Sequence, residues 1–189
     1  MSPTRIMIIR HAEKPVPDGA DGIAPDGSPD PESLSAIGWE RARKLVGFFS
    51  APTARDIEKP NAVIAAAPDN ASKRPAETVT PLVDAMWPPT EGAQPFDQSI
   101  RKENVDGLAQ AVMATNGVLL VAWEHKLIPA AVAALPNAPA TPTKWPGDRF
   151  DVVWILEPDG DGWAFRQTPQ MLMPDDQDSV IAVSRHGAD

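Results

Sequence analysis

Short apolar runs alternate along the chain with stretches in which apolar residues recur every three or four positions. The runs that predict buried strands are residues 5–9, 61–67 and 118–123. Helical spacing predicts helices over residues 35–50, from Pro75 onward, over 103–115 and over 128–135. Because proline lacks a backbone donor, Pro81 should kink or shorten the second helix.

The C-terminal third has a different pattern. Residues 150–157 and 163–167 predict two strands, and the Asp-Gly pairs between them are typical of a hairpin. Residues 180–183 predict one further strand. The loop at 15–31 is rich in Pro, Gly and Asp, and we expect an irregular rim or lid. Its acidic residues do not follow the spacing of a calcium-binding loop.

Strands that alternate with helices predict an α/β fold. We expect a three-layer αβα sandwich with a mostly parallel central sheet and an antiparallel hairpin near the C-terminus. A chain of 189 residues fits one domain with a sizeable core, so residues 1–189 are predicted to form a single domain.

Charge and composition narrow the range of partners. The formal net charge of −9 opposes non-specific nucleic-acid binding. The longest apolar run, near 118–123, falls far short of the roughly 20 residues that span a bilayer, and the N-terminus shows no cleavage pattern. We therefore expect a cytoplasmic protein with no membrane or nucleic-acid partner. The absence of cysteine excludes disulfides and thiolate zinc sites, and the three histidines are widely separated, so no metal or cofactor is predicted.

Polar residues follow three of the predicted strands. Arg10 and His11 follow the first strand, Arg74 comes shortly after the second, and Glu124 and His125 follow the run at 118–123. The carboxyl ends of parallel strands lie at one edge of a sheet, so these side chains can converge. Arginine binds phosphate through bidentate bonds, and a neutral histidine can attack phosphorus. The pattern indicates phosphoryl transfer, and it leaves open which histidine is the nucleophile.

The segment Arg10-His11-Ala12-Glu13 resembles the Arg-His-Gly-Glu opening motif of the histidine phosphatase superfamily, the phosphoglycerate mutase-like proteins. Further matches follow in the family's order: Leu34-Ser35-x-x-Gly38 with Ala42 and Leu45, then Ser72-x-Arg74-Pro75-x-Glu77-Thr78, then residues 118–125. The resemblance spans about residues 4–135.

The resemblance implies a metal-independent phosphatase. His11 would be the nucleophile that carries a covalent phosphohistidine, while Arg10, Arg74 and His125 would bind the phosphoryl group until water releases it. The substrate would be a phosphomonoester or a phosphohistidine, carried by a small molecule or a phosphoprotein. The alternatives are a catalytically weak regulator that binds a phosphate ligand in the same pocket, and a phosphoglycerate-type mutase, for which the chain is short.

The chain departs from the family pattern at two places near the first motif. Ala12 replaces the usual glycine, and Lys14 replaces a hydroxyl residue, so Lys14 is a candidate phosphate-binding residue. Glu124 is the first candidate for the general acid, and the alternative role is to orient His125 or to pair with a lysine. Glu103 is the second candidate.

Further predictions concern other polar and aromatic residues. Glu13 is expected to brace an arginine, and Asp148 and Asp151 are expected to lie in a solvated turn. Trp123 is the tryptophan expected to touch the site. His186 lies in a polar terminal segment, and no function is predicted for it.

Overall fold

The centre of the fold is a six-stranded sheet. The structure is a computed structural model, and it describes residues 2–17, 19–88, 92 and 94–183. The strands are β1 (Pro3–Arg10), β2 (Ala62–Ala65), β3 (Phe96–Asp97), β4 (Gly117–Trp123), β5 (Val152–Asp159) and β6 (Gly162–Pro169). The helices are α1 (Ala36–Ser50), α2 (Arg74–Met86), α3 (Val105–Ala114) and α4 (Ile128–Ala133).

The strand order places the predicted strand ends side by side. The order is β3-β2-β4-β1-β5-β6, in which the first four strands are parallel. β5 runs antiparallel to β1 and forms a hairpin with β6. Arg10 at the end of β1 is in register with Trp123 at the end of β4. His11 and Glu124, the next residues, therefore leave the sheet at the same level.

Helices cover both faces of the sheet, as the alternation along β1 requires. Met7 and Ile9 pack on the side covered by α1 and α2, whereas Ile6 and Ile8 pack on the side covered by α3 and α4. Successive residues of a strand point to opposite faces, so a strand buried on both sides is apolar throughout. The mixed α/β class, with a mostly parallel sheet and a C-terminal antiparallel hairpin, is confirmed.

Two helix predictions can be compared with the observed ends. Ser35 caps α1, where its hydroxyl accepts a hydrogen bond from the backbone N–H of Gly38 at 3.1 Å. Pro81, in contrast, lies inside α2, which continues to Met86. The proline does not end the helix because the residues after it, Leu82 and Val83, are fully buried against the sheet.

The predicted strand at 180–183 is wrong. These residues adopt no strand conformation. The side-chain amide of Gln167 makes both backbone hydrogen bonds of Ile181, at 2.8 and 3.1 Å, which replaces pairing with another strand. The described residues of the loop at 15–31, which leave out residue 18, form no regular element apart from an isolated bridge between Ile23 and Pro29. Among the described residues, no helix is long and apolar enough to cross a membrane.

Candidate active site

A cleft of about 470 Å³ lies beyond the carboxyl ends of β1, β2 and β4. Six of the residues that the sequence proposed for the site line this cleft: Arg10, His11, Lys14, Arg74, Glu124 and His125. The convergence follows from the register, because the backbone N–H of His11 donates to the carbonyl of Trp123 at 3.1 Å. The ends of β1 and β4 are thus joined directly at the cleft.

His11 is buried and held in one ring orientation. Its Nδ1 lies 2.7 Å from the carbonyl oxygen of Ala12. A carbonyl can only accept, so Nδ1 carries the proton and Nε2 carries the lone pair. Burial, and then the charges of Arg10 and Arg74, lowers the pKa of His11 to about 3. The ring is therefore neutral at physiological pH, which is the form that can act as a nucleophile.

The end of β1 is also tied to α2. The backbone N–H of Ala12 donates to the hydroxyl of Thr78 at 2.8 Å, and that hydroxyl donates to the carbonyl of Arg74 at 2.7 Å. Thr78 is fully buried. This chain of bonds fixes the nucleophile candidate relative to the helix that supplies the second arginine.

Arg10 is buried against the segment 146–150. Its Nη1 donates to the carbonyls of Pro146, Gly147 and Arg149, and its guanidinium carbon lies 3.7 Å from the ring centroid of Phe150. Its Nε and Nη2 are buried and have no hydrogen-bond partner. Burial lowers the pKa of Arg10 to about 10, so the side chain stays charged at neutral pH.

Unsatisfied buried donors on a charged group are costly, and a bound anion would satisfy them. The free Nη2 of Arg10 is the donor of greatest interest, because the same side chain lines the cleft. The carbonyl bonds to Nη1 hold the guanidinium in place without using its other edge.

Arg74 enters the cleft from the first turn of α2. Its Nε donates to the carbonyl of Ser33 at 3.1 Å, and its Nη2 donates to the carbonyl of Pro31 at 2.5 Å. Among the described residues, Nη1 makes no hydrogen bond, so it remains available to a ligand. Glu77, one turn further along α2, binds the same loop through Ser33 and Leu34.

His125 faces His11 across the cleft. The ring centroids are 6.3 Å apart, and the planes are inclined by 76°. Burial, followed by the charges of Arg10, Lys126 and Lys14, lowers the pKa of His125 to about 4. Its Nδ1 is buried without a hydrogen-bond partner. The neutral ring can donate to an anion placed between the two histidines.

Glu124 is paired with a lysine that the sequence interpretation did not select. The Nζ atom of Lys102 lies 3.8 Å from a carboxylate oxygen of Glu124 and 3.4 Å from one of Asp69. Trp123 holds this lysine's backbone in place, because its indole N–H donates to the carbonyl of Lys102 at 3.1 Å. Lys102 also lines the cleft.

The cleft has a strongly positive lining in an acidic protein. The cations that line it are Arg10, Lys14, Arg74, Lys102 and Lys126, and the lining anion is Glu124. Physiological salt screens a charge over roughly 8 Å, and an anion inside the cleft lies closer than this to the lining cations. These cations therefore attract an anion despite the negative net charge of the protein. The arrangement fits a dianionic phosphoryl group.

Sequence reasoning missed Lys102 and Phe150. Lys102 follows β3, a strand of only two residues that has no detectable apolar run. Its position after a strand end is the same signal that identified Arg74 and Glu124, and it becomes visible only once β3 is known. Phe150 was assigned to a strand, but it precedes β5 and packs against Arg10 and His11.

The structure also shows where four other side chains with predicted positions or roles lie. Trp123 does not line the cleft but is fully buried in the core beneath α3 and α4, since a tryptophan at the end of a central strand has no open side. Asp151 is not solvated: it is 4% exposed and pairs with Arg149 at 2.7 Å. Asp148 is exposed, as expected for a turn residue. Glu103 is exposed before α3 and is not among the residues that line the cleft.

Glu13 braces an arginine, as predicted. A carboxylate oxygen of Glu13 accepts from Nε of Arg41 at 2.8 Å, and Arg41 also binds Asp176 through both terminal nitrogens. The pair links β1, α1 and the C-terminal segment. His186 lies outside the described residues. Within the part of the chain that is described, no group of three or more metal-ligating side chains is arranged to hold an ion.

Comparisons with known proteins complete the description of the site. No family model matches the chain, and no curated protein matches it. One similar solved structure is a candidate phosphohistidine phosphatase, SixA, from Agrobacterium tumefaciens, with 20% identity over 86% of this chain and 96% of that chain, and a TM-score of 0.49. Another is a candidate alpha-ribazole-5'-P phosphatase from Escherichia coli, with 14% identity over 86% and 95% of the two chains, and a TM-score of 0.49.

Proposed function

We propose that this protein is a phosphatase that hydrolyses phosphorylated substrates through a covalent phosphohistidine on His11. The observation that carries the proposal is the state of the imidazole. Its Nδ1 is held by the Ala12 carbonyl, and its Nε2 makes no hydrogen bond with any described residue. The free nitrogen belongs to a side chain that lines a cleft with unpartnered donors on Arg10 and His125.

The first chemical step is attack on phosphorus. Nε2 of His11 forms the N–P bond as the bond from phosphorus to the leaving group breaks, and the leaving atom takes up a proton. Arg10 Nη2, Arg74 Nη1 and the His125 ring bind the three equatorial oxygens, on which negative charge is spread. Water then attacks phosphorus, the N–P bond breaks, and inorganic phosphate and neutral His11 are released.

The proton for the leaving group has one candidate donor in the cleft. Glu124 lines the cavity next to His125, and Lys102 lies 3.8 Å from it. The ion pair supports the alternative in which Glu124 pairs with a lysine. We assign the protonated form of Glu124 as the donor for esters of poor leaving groups, with Lys102 holding the carboxyl group in place. The carboxylate left after the first step takes a proton from the attacking water in the second step, which restores the donor. A phosphohistidine substrate has a better leaving group and needs this donor less.

The substrates that fit this chemistry are small phosphorylated compounds and phosphoproteins. Both present a terminal phosphoryl group with a single bond to the rest of the molecule. The test begins with an aryl phosphate, because it requires little acid assistance. Turnover is measured in excess chelator, and protein quenched during turnover is analysed for acid-labile, alkali-stable phosphate on the peptide that contains His11.

Turnover and label in the wild-type protein, both lost in His11→Asn, are the expected result. Asparagine keeps a donor for the Ala12 carbonyl but has no nucleophilic ring nitrogen. A matched control is Lys44→Gln, an exposed change on α1 that leaves the cleft untouched. Phosphate binding without turnover or label would contradict the proposal and support a regulator. Activity that disappears in chelator alone would contradict the metal-independent mechanism.

A further inference from the structure

A second cavity adjoins the cleft, and we call it the apolar annex. It has a volume of about 510 Å³. Its wall is formed mainly by Pro15, Val16, Pro17, Ile23, Ile37 and Phe150. Lys14 and Gly147 line both the annex and the cleft, so the two cavities meet along these residues. A ligand whose phosphoryl group lies at His11 can extend past Lys14 into the annex.

The annex contains large apolar side chains that the fold itself leaves uncovered. Val16 is 69% exposed and Ile37 is 56% exposed. Exposed apolar side chains that gather beside a polar site mark a surface that contacts a ligand. Pro15 and Pro17 restrict the backbone on either side of Val16. The wall is thus stiffened before a ligand arrives, which reduces the entropy lost on binding.

Most polar side-chain groups of the annex already have partners or lie at its edge. Oε1 of Glu13 accepts from Arg41, and the hydroxyl of Ser35 is used by the backbone of Glu13 and Gly38. Oε2 of Glu13 is buried and has no hydrogen-bond partner. Lys14 lies where the annex meets the cleft, and Asp21 is exposed. A sugar or a polyol would find few free donors and acceptors here. An apolar group would lose little by leaving water.

Phe150 connects the annex to the candidate chemistry. Its ring packs on the guanidinium of Arg10 at 3.7 Å and lies 6.2 Å from the His11 ring, edge to face. The same side chain lines the annex. An aromatic side chain of the annex wall therefore lies directly beside the proposed nucleophile and the proposed phosphate-binding arginine.

We infer that the preferred substrates are phosphomonoesters whose alcohol carries an apolar group, aromatic or alicyclic, of one or two rings. The inference rests on the proposed phosphatase function and specifies its substrate class. The phosphoryl group binds at His11 and the cationic lining of the cleft, and the apolar group binds between Val16, Ile37 and Phe150.

The test separates binding in the annex from catalysis. Benzylphosphonate and methylphosphonate carry the same head group, are not cleaved, and differ by one ring. Calorimetry with the full chain should show benzylphosphonate binding at least about tenfold more tightly. The double variant Val16→Ser/Ile37→Ser should lower this affinity ratio by about fivefold or more, since it removes apolar wall area. Met171→Ser, an equally exposed apolar change that does not line the annex, is the matched control and should keep the wild-type ratio.

A second variant guards against a folding defect in the double serine protein. Ile37→Trp fills the annex from an exposed helix position, and it should also abolish the benzyl preference. Equal affinities for the two phosphonates in the wild type, or a preference that survives both variants, would overturn the inference. A benzyl preference without turnover of any ester would support apolar binding in the annex and contradict the proposed phosphatase activity. The failure of one proposal can therefore be distinguished from the failure of the other.

Discussion

At the scale of single residues, the site depends on donors that the protein leaves unused. Nη1 of Arg10 donates to three backbone carbonyls, whereas Nε and Nη2 are buried without hydrogen-bond partners. Such an arrangement is destabilising in the free protein and becomes favourable when an anion binds. The fold thus holds the guanidinium with two donors free for the phosphoryl group of the proposed mechanism.

Replacing Arg10 by lysine tests this geometry. Arg10→Lys keeps the charge but removes the fork, so kcat/KM for an aryl phosphate should fall by about 100-fold or more. The matched control is Arg5→Lys at the other end of β1, where the guanidinium pairs with Glu58 and Glu157. That variant should lose some thermal stability and retain kcat/KM. Equal losses of kcat/KM in both variants would show that Arg10 acts only through the fold.

The proposed role of Glu124 as proton donor is tested with substrates that differ in their leaving group. Glu124→Gln should lower kcat/KM for an alkyl phosphate by about 100-fold, because the alkoxide must be protonated as it leaves. For 4-nitrophenyl phosphate, whose leaving group is stable as an anion, the loss should be less than about fivefold. Steady-state kinetics on the two substrates measures the ratio. Equal losses on the two substrates would assign Glu124 to positioning of His125 or Lys102.

At the scale of elements, the loop before α1 and the first turns of α2 hold each other in place. Glu77 accepts the hydroxyl of Ser33 at 2.7 Å and the backbone N–H of Leu34 at 2.9 Å. The carbonyl of Ser33 in turn accepts from Nε of Arg74 at 3.1 Å. The buried carboxylate therefore positions the second arginine through the loop rather than by contact with substrate.

Glu77→Gln should weaken this connection. The amide keeps one acceptor but turns an NH₂ group toward a donor, which should lower the free energy of unfolding by about 1–3 kcal/mol. KM for an aryl phosphate should rise more than kcat falls, since Arg74 loses part of its support. The control is Glu40→Gln, an exposed change on α1 that removes one pair with Lys44 and should alter stability by less than about 0.5 kcal/mol. Urea unfolding and steady-state kinetics provide both readouts, and identical behaviour of the two variants would exclude the positioning role.

The elements also show which features the sequence could predict. The sequence predicted the buried strands β1 and β4 because each is a continuous apolar run followed by polar residues. It predicted helix α1 because apolar residues recur at helical spacing after a capping serine. The site residues at those strand ends converged for the same reason. β3 was missed since two residues at a sheet edge leave no pattern, and Lys102 was missed with it. The segment 146–150 that holds Arg10 has no periodicity at all, so only its tertiary contacts reveal it.

At the scale of the whole molecule, the protonation of the two cleft histidines links the proposed activity to the stability of the fold. An acidic protein with net charge −9 concentrates positive charge around His11 and His125. Burial and these cations together keep both imidazoles neutral. His11, the proposed nucleophile, is therefore in its neutral form at pH 7, and the same burial makes the folded state resist protonation when the solution becomes acidic.

This resistance predicts a loss of stability in mild acid. An unfolded histidine titrates near pH 6.5, whereas the pKa of folded His11 is lowered to about 3. Between these values the unfolded chain binds a proton that the folded chain does not, so the stabilisation present above pH 6.5 is lost as pH falls. His11 alone should lower the free energy of unfolding by about 2 kcal/mol between pH 7 and pH 5. His125, whose pKa is lowered to about 4, should contribute in the same direction.

The comparison that isolates this effect is a pH series of urea unfolding for the wild-type protein and His11→Asn. Asparagine does not titrate, so the variant should lose about 2 kcal/mol less than the wild type over this range, whatever its stability at pH 7. Buffers without phosphate or sulfate are required, because an anion in the cleft would favour the protonated ring. Carboxylates that titrate in this range do so in both proteins and cancel in the difference. Parallel stability curves would mean that His11 is open to solvent protons, and a neutral buried nucleophile would then be the wrong description of this site.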